Sequence, residues 1–521
     1  MVKKRQNRRF VWCLVMIAVL AAMTAACASR DGGGKTVAGN DETRQSAGQT
    51  ESEQQGGVTK APLHITIAYN FDGKEFPQPG NEIEKRIEQY TNTELDIQGL
   101  PSTVYNEKLP VMVASGDIPK VVSANKTPYI LDAILDDVFW EIGPYLKDYP
   151  RLSELNEIIY KNISVDGKIY GLPRVRPIAR GTYIYRKDWL NNLGLQEPKT
   201  IDEFYNVLRA FTYDDPDKNG QQDTYGMTVR DMPIEVRDMA IFYGAPNNWG
   251  IVDGKFVKDV LFDEYMEGLK FMKKLYDEGL INKDFLAVDR PKWEGEFEFG
   301  KAGIIHNTSN TVTIFGARVK NQKSDSEVDF FSRLTGPKGE RIRAEAGSNG
   351  FLAFPKASVK TEEELKQILA FFEKMNDEEM ATLFHWGVEG VHFKAENGKA
   401  VRIDQGKYDD EVAYPYRWTL GIVPPERHAI PGDLTPLEQK IEEVMAENEQ
   451  LAVHDPTLTL ISETYNKIGE QLNTIINDAI AKFVMGEIDE EGWKKEIERW
   501  RQEGGDQVAK EYEEQYANIN N

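Results

Sequence analysis

The chain has 521 residues, 40% apolar and 10% aromatic, ample for a large core and for about three or four units of ordinary size. With 85 acidic against 63 basic residues it carries a formal net charge of -22 at pH 7, which argues against a general binder of nucleic acid or of anionic membrane surfaces. Two cysteines, Cys13 and Cys27, leave no framework of structural disulfides to explain.

Residues 1–26 carry Lys3, Lys4, Arg5, Arg8 and Arg9 and no acid. The run "VWCLVMIAVLAAM" is of signal-peptide length, too short and wrongly flanked for an ordinary spanning helix. It ends in "MTAACAS", which resembles the lipobox of bacterial lipoproteins, with Thr24 where that motif usually has Leu. The resemblance implies that Cys27 becomes the new N-terminus and carries acyl chains such as palmitate. Two or three chains hold a protein at a bilayer where one does not. The alternative is an ordinary signal peptide cut near Ala26. Residues 28–60 are rich in Gly, Ser, Thr and Gln and nearly empty of large apolar residues, the composition of a flexible tether.

The body opens with "PLHITIAYN", whose alternation and β-branched residues predict a strand. "NEIEKRIEQYTN" has helical spacing, "TELDIQGL" reads as a second strand, and "YNEKLPVMVASGDIPKVV" as helix, turn and strand. This alternation predicts an α/β layer with a largely parallel sheet. "DVFWEIGPYLKDYPRLSELNE" reads as helical; "KIYGLP" and "GTYIYR" read as strands and "KDWLNNLGL" as a short helix. Thr200 and Glu203 have capping-box spacing and open the helix "IDEFYNVLRAF".

"DPDKNGQQD" (215–223) follows that helix. Its Asp215, Asp217, Asn219 and Asp223 stand at alternate positions beside Gly220, nearly the spacing of a calcium loop, but position 12 is Gly226 instead of Glu. "TYGMTVR" then reads as extended, so the loop lacks the helix–loop–helix frame of an EF-hand sensor. An Asx-rich turn bonded to its own backbone is the plain alternative. Further on come the amphipathic helix "YMEGLKFMKKLYDEGLIN", the turn and strand "EFEFGKAGIIHNTSN", the helical "EELKQILAFFEKMNDEEMATLF" and the hairpin-like "HWGVEGVHFKAENGKAV". Residues 435–521 read as mostly helical.

The blocks "KLPVMVASGDIP" (108–119), "VDGKIYGLP" (165–173), the run from Tyr185 to Gly226, "FEFGKAGI" (297–304), "GPKGER" (336–341) and "GVEGVHF" (387–393) resemble the extracellular solute-binding lipoproteins of bacterial ABC importers, in particular the large oligosaccharide-binding type of Gram-positive bacteria. The resemblance implies an α/β fold of the two-lobe, periplasmic-binding-protein-like (type II) kind, with a hinge and an interlobe ligand cleft. By analogy the crossings fall near 176–184, 303–308 and 348–355. The N-lobe is then 61–180 plus 304–352 and the C-lobe 183–303 plus 355–521. It also implies a structural calcium ion held by Asp215, Asp217, Asn219, the Gln221 carbonyl and Asp223. Implied partners are a carbohydrate, the permease subunits of an importer and the membrane through the lipid anchor, with no nucleic acid, and the chain acts as a monomer. The resemblance further implies that the chain is not an enzyme.

Sugar rings stack their C–H faces on aromatic rings and need paired polar groups for their hydroxyls. Aromatics in Gly-rich turns are therefore candidate contacts: Asn70, Phe71 and Asp72 after the first strand, Trp249 beside Asn247 and Asn248, and Trp386 with Glu389. Trp140, Trp189 and Trp418 read as packing residues. "PRVRPIARG" sets Arg174, Arg176 and Arg180 beside the first crossing, where a guanidinium cluster suits a carboxylate-bearing sugar, with inter-lobe ion pairing as the plain alternative. The six histidines are scattered, and no HExxH, GxSxG or P-loop occurs. The rival readings are a lipid-anchored polysaccharide-active enzyme, since acid pairs abound, and a sugar-sensing module without a transporter.

Overall fold

The computed structural model describes residues 61–71, 73 and 75–520. Cys27, with the leader and tether, and Asp72 lie outside the described residues. Two sheets organise the body. Strands β1 (Leu63–Phe71), β2 (Thr93–Pro101), β3 (Val121–Ala124) and β4 (Gly171–Val175) join one sheet. The second is built from β5 (Gly181–Arg186), β6 (Tyr225–Thr228), β7 (Ala302–Thr308) and β8 (Val328–Phe331). Chain order continues with β9 (Leu334–Gly336), β10 (Gly339–Arg343), β11 (Ser348–Ala353) and the two-residue β12 (Ala452–Val453).

The first sheet runs β2-β1-β3-β11-β4. Its β1 pairs in parallel with β2 and β3, while β11 is antiparallel to both β3 and β4. Ile65, Ile67, Ala68 and Tyr69 of β1 are wholly buried, as expected of a central strand covered by helices on both faces. The second sheet runs β8-β5-β7-β6, with only β6 and β7 parallel. Here β9, β10 and β12 form a small third sheet.

Local sequence explains the helices. In Ile201–Tyr213, Thr200 and Glu203 close a reciprocal capping box, and Ile201, Phe204, Val207, Leu208 and Phe211 form the buried face. The helix Glu362–Lys374 starts on the Thr361 cap and buries Leu365, Ile368, Leu369, Phe371 and Phe372. The stretch 137–157, which reads as one helix, is instead a 3-10 turn at Gly143–Asp148 and single-turn helices from Pro150. Pro144 and Pro150 punctuate it: a proline lacks the N–H that helix continuation needs.

The expected lobe boundaries differ from the core memberships. Residues 304–331, assigned by analogy to the first lobe, run through the second sheet, where Val312, Phe315 and Val319 pack with Ile184 and Ile305. Conversely, Phe354, Val359, Leu365, Phe384, Tyr416 and Val423 pack in the core of the first sheet. The chain therefore passes between the cores at 176–180, 344–347 and 424–435, and not at 303–308. The first two segments run side by side: Arg176 N–H donates to Gly347 O at 2.9 Å and Glu345 N–H to Ile178 O at 2.6 Å. Gly347 adopts φ +76°, and a Cβ there would sit 2.9 Å from Ile159 Cγ1, so glycine suits both the turn and the close approach.

Candidate ligand-binding cleft

A cleft of about 690 Å³, within the usual range for small-molecule sites, is lined from both cores. One end is the exit of β1, at the edge where neighbouring parallel strands direct their chains apart. Asn70 is fixed there. Its Nδ2 donates to Ser102 Oγ at 3.3 Å, and its Oδ1 accepts from Ser123 Oγ at 3.1 Å and from Arg174 Nη1 at 2.5 Å. Phe71 lies beside it, edge-on to Phe76 at 5.3 Å.

Arginines make the floor. Arg174 is buried and also donates to Thr419 Oγ1 at 3.1 Å. Arg180 Nε pairs with Glu345 Oε2 at 2.8 Å. Arg176 is different: its Nη1 donates to the backbone carbonyls of Val175 at 2.7 Å and Trp418 at 3.3 Å, and among the described residues it forms no ion pair. Its guanidinium lies 4.9 Å from the centre of the Trp418 ring. Burial, then the neighbouring Arg174, Arg180 and Arg417, push its pKa down to about 9, against the opposing pull of Glu345. The group stays charged at neutral pH, with three neighbouring arginines against one carboxylate, Glu345, acting on it.

The adjoining wall comes from 385–427. A π-helical segment, Asp409–Arg417, with Pro415 inside it, brings Tyr414, Arg417 and Trp418 to the cleft; such widened turns recur at functional sites. Arg417 Nη2 donates to Glu426 Oε2 at 3.0 Å and its guanidinium sits 4.6 Å from the Trp418 ring. His385 lines the same wall, with Nδ1 3.9 Å from Glu426 Oε2, beyond hydrogen-bond distance. Opposite stand Glu442, Met445 and Glu449 of the helix Pro436–Leu451, with Ser309 and Asn310.

Four of the sequence candidates meet in this cleft: Asn70, Phe71, Arg174 and Arg176. Three do not. Trp249 is 4% exposed and packs edge-on to Tyr512 at 5.4 Å and against Trp500 at 6.0 Å, so it stitches the C-terminal helices to the second core. Its neighbour Asn247 is spent on the carbonyls of Ala344 and Val453. Trp386 is 6% exposed; its indole N–H donates to Ile430 O at 2.8 Å and its ring packs against Phe393. Glu389 is exposed on the turn leading to the Phe393–Glu396 and Lys399–Arg402 hairpin, away from the cleft lining. Trp418, read as packing, does pack against the first core and also lines the cleft. Of the missed residues, Tyr414, Arg417 and Glu426 had one usable signal, the interleaving of aromatics and arginines with Gly and Pro in 414–428, while His385 at a helix end had none.

The 215–223 loop lies elsewhere. Asp215 Oδ1 accepts from Asn219 N at 3.0 Å and its Oδ2 from Gly220 N at 3.0 Å, while Asn219 Nδ2 donates to Asp217 Oδ2 at 2.8 Å and Asp223 Oδ1 at 3.2 Å. Lys301 Nζ reaches Asp223 at 3.2 Å. Burial, then Asp215 and Asp223, raise the Asp217 carboxyl pKa. Among the described residues no three acidic, His or Cys side chains are gathered around one point in metal-holding geometry. The donors are nonetheless all hard oxygens, and the Asn219 amide stands among the carboxylates where a cation would relieve their crowding. Gly226, at the position of the missing Glu, lies where a Cβ would meet Leu208 O at 2.8 Å: the strand crosses the helix too closely for a side chain.

A family model described as bacterial extracellular solute-binding protein matches residues 72–382. The lipoprotein LipO of Bacillus subtilis (strain 168) is 37% identical over 484 residues, 90% of this chain and 95% of that one. The polygalacturonan/rhamnogalacturonan-binding protein YtcQ of the same organism is 38% identical over 449 residues, 84% of this chain and 88% of that one. Among solved structures, the alginate-binding protein AlgQ2 without calcium ion superimposes with a TM-score of 0.62 at 20% identity, covering 89% of this chain and 100% of that one.

Proposed function

The chain belongs to the bacterial extracellular solute-binding protein family, and from that membership we propose that it is the capture subunit of an ABC importer whose cleft holds an acidic oligosaccharide. The observation that carries the ligand class is Arg176, a largely buried guanidinium that pairs with no carboxylate among the described residues and stands among other arginines. A ligand carboxylate supplies what that group lacks: a planar, charged acceptor matched to its donor fork. A neutral sugar would leave the repulsion in place. The name of the 38%-identical relative, a polygalacturonan/rhamnogalacturonan-binding protein, supports the same class. Membership in a solute-binding family favours the receptor over the polysaccharide-active enzyme, and in this reading the protein alters no bond of its ligand.

Capture follows from the cleft being lined from both cores. A ligand that touches both walls binds the closed arrangement better than the open one, and only that difference can drive closure. The three crossing segments are the hinge, and the closed form is what a permease reads. The lipobox-like segment before Cys27, and the lipoprotein relative LipO, support attachment to the outer face of the cell membrane through acylated Cys27. The test is calorimetric titration of galacturonate oligomers beside neutral oligomers of equal length. Uronates should bind, and more weakly as salt rises. Tight binding of the neutral series alone would overturn the acidic reading.

The same reading includes a calcium ion at Asp215, Asp217, Asn219, the Gln221 carbonyl and Asp223, as a clip between the helix Ile201–Tyr213 and β6. Its role is structural, since extended chain follows the loop. A ligand present at 100 times its Kd stabilises the native state by about 2.7 kcal/mol. Thermal melts should therefore rise with calcium and fall with chelator, and Asp217→Ala should abolish the response. Identical melting curves in calcium and chelator would remove the ion from the reading.

A further inference from the structure

Four asparagines line the cleft: Asn70, Asn156, Asn310 and Asn349. Three are held by the protein. Asn70 accepts from Ser123 and Arg174, Asn156 from the Ile158 N–H at 3.1 Å, and Asn310 from Thr308 Oγ1 at 2.8 Å. Asn349 is exposed, and among the described residues no hydrogen bond engages its side chain. An amide that can donate and accept at once therefore stands uncommitted in the cleft.

The backbone brings it there by a specific device. The run "GSNG" (347–350) opens β11 as the chain leaves the second crossing. Ser348 pairs with Val175 and Phe351 with Pro173, so three steps along β11 match two along β4 and one extra residue is inserted. Such a bulge interrupts the pairing and re-aims a side chain, and bulges gather beside functional sites. Gly350 takes φ +75°, and a Cβ there would stand 2.3 Å from Ala124 O, so glycine is required. Asparagine is a common choice where a turn needs a left-handed residue. Here Gly347 and Gly350 take the left-handed positions and Asn349 does not. The turn itself gives no reason for an amide at 349.

The bulge adjoins the arginine floor. The Arg176 N–H donates to Gly347 O at 2.9 Å, and Arg176 Nη1 donates to the carbonyl of Val175, the residue paired with Ser348. Neighbouring strands lie about 4.8 Å apart, so a single pyranose ring reaches from one to the other. We propose that Asn349 is a ligand-binding residue that hydrogen-bonds a ring hydroxyl of the same sugar unit whose carboxylate meets Arg176. This rests on the uronate reading above and deepens it: Arg176 reads the charge of the unit and Asn349 its hydroxyl. A hydroxyl both donates and accepts, as do the two ends of the amide.

Calorimetry on the whole protein tests this with trigalacturonate and its methyl ester, which share their ring hydroxyls and differ in charge. Asn349→Ala should weaken both probes by about tenfold, the worth of one hydrogen bond. Asn349→Asp sets a carboxylate beside Arg176. It should weaken the acid by at least about a further tenfold, a loss that shrinks as salt rises, and affect the ester no more than alanine does. A melting curve verifies that each variant is folded. Unchanged affinity for both probes in a folded Asn349→Ala protein overturns the assignment and leaves the uronate reading intact. A loss confined to the acid also overturns it, because the amide would then serve the carboxylate and not a hydroxyl. Equal loss of acid and ester in Asn349→Asp overturns the placement beside Arg176. Binding of neither probe by the unaltered protein overturns this proposal and the uronate reading together.

Discussion

Replacing Arg176 with Met should weaken binding of a uronate oligosaccharide by on the order of 100-fold, while a neutral oligosaccharide loses little. Truncating one partner of a buried, hydrogen-bonded charge pair costs roughly 2–5 kcal/mol, and each 1.4 kcal/mol is about tenfold. Arg176 is singled out from its neighbours by its bonds. Arg174 is engaged by Asn70 and Thr419, and Arg180 by Glu345. Among the described residues, Arg176 donates to backbone carbonyls and sits over the Trp418 ring, with no ion pair. Met keeps most of the aliphatic stem while removing the guanidinium, so the loss reports charge and hydrogen bonding more than packing. The same substitution removes a cation from a site crowded by Arg174, Arg180 and Arg417. The unliganded variant should therefore melt at the same temperature as the parent or higher. Calorimetry and a thermal melt measure both. An equal loss for neutral and acidic sugars would mean that Arg176 shapes the cleft instead of reading charge.

What the sequence disclosed and what it hid divide along one physical line. The helix Ile201–Tyr213 was legible because its cap, its boundary and its apolar stripe all lie within fourteen residues. The lobe boundaries were not. Whether Ala302–Thr308 joins the first or second sheet depends on pairing with Gly181–Tyr185 and Tyr225–Thr228, and nothing local to "AGIIHNT" names those partners. The buried stripe of Glu362–Lys374 announces that it packs but not against which core. The tryptophans show the same limit. A Gly-rich turn around Trp249 is compatible with an indole facing a ligand or facing Tyr512, and a tertiary partner from 263 residues away decides. Arg174 and Arg176 were legible because their cluster is contiguous. His385 and Arg417 were not, because the wall they share is assembled from an α-helix end and a π-helical turn.

The same limit hid a buried ionic cluster behind the hinge, where Arg343→Met should destabilise the fold by about 3–5 kcal/mol. His306 on β7 points Nδ1 at Glu235 Oε1, 3.0 Å away, and Nε2 at Asp238 Oδ2, 3.4 Å away. Both acids lie on the helix Met232–Tyr243 and are almost fully buried. Arg343 on β10 donates to Asp238 Oδ1 at 2.6 Å. Tyr183 on β5 donates to Glu235 at 3.3 Å and stacks on the imidazole at 4.3 Å. With His306 protonated, two cations face two carboxylates. Removing Arg343 leaves Asp238 dependent on one imidazolium that Glu235 also claims, with both carboxylates almost fully buried. The cluster also gives stability a pH dependence of definite sign. Burial alone would lower the His306 pKa, but Glu235 and Asp238 outweigh it and the value is raised above 6.5. A folded-state pKa above the unfolded one means that the fold binds the proton more tightly. The contribution is then complete below about pH 6.5 and is lost as pH rises through the folded-state value. Urea unfolding followed from pH 6 to 9 should show the parent losing stability across that window, with the loss largely absent from His306→Gln. If the two proteins lose stability in parallel, or if Arg343→Met unfolds within about 1 kcal/mol of the parent, the cluster does not bear the load its geometry implies.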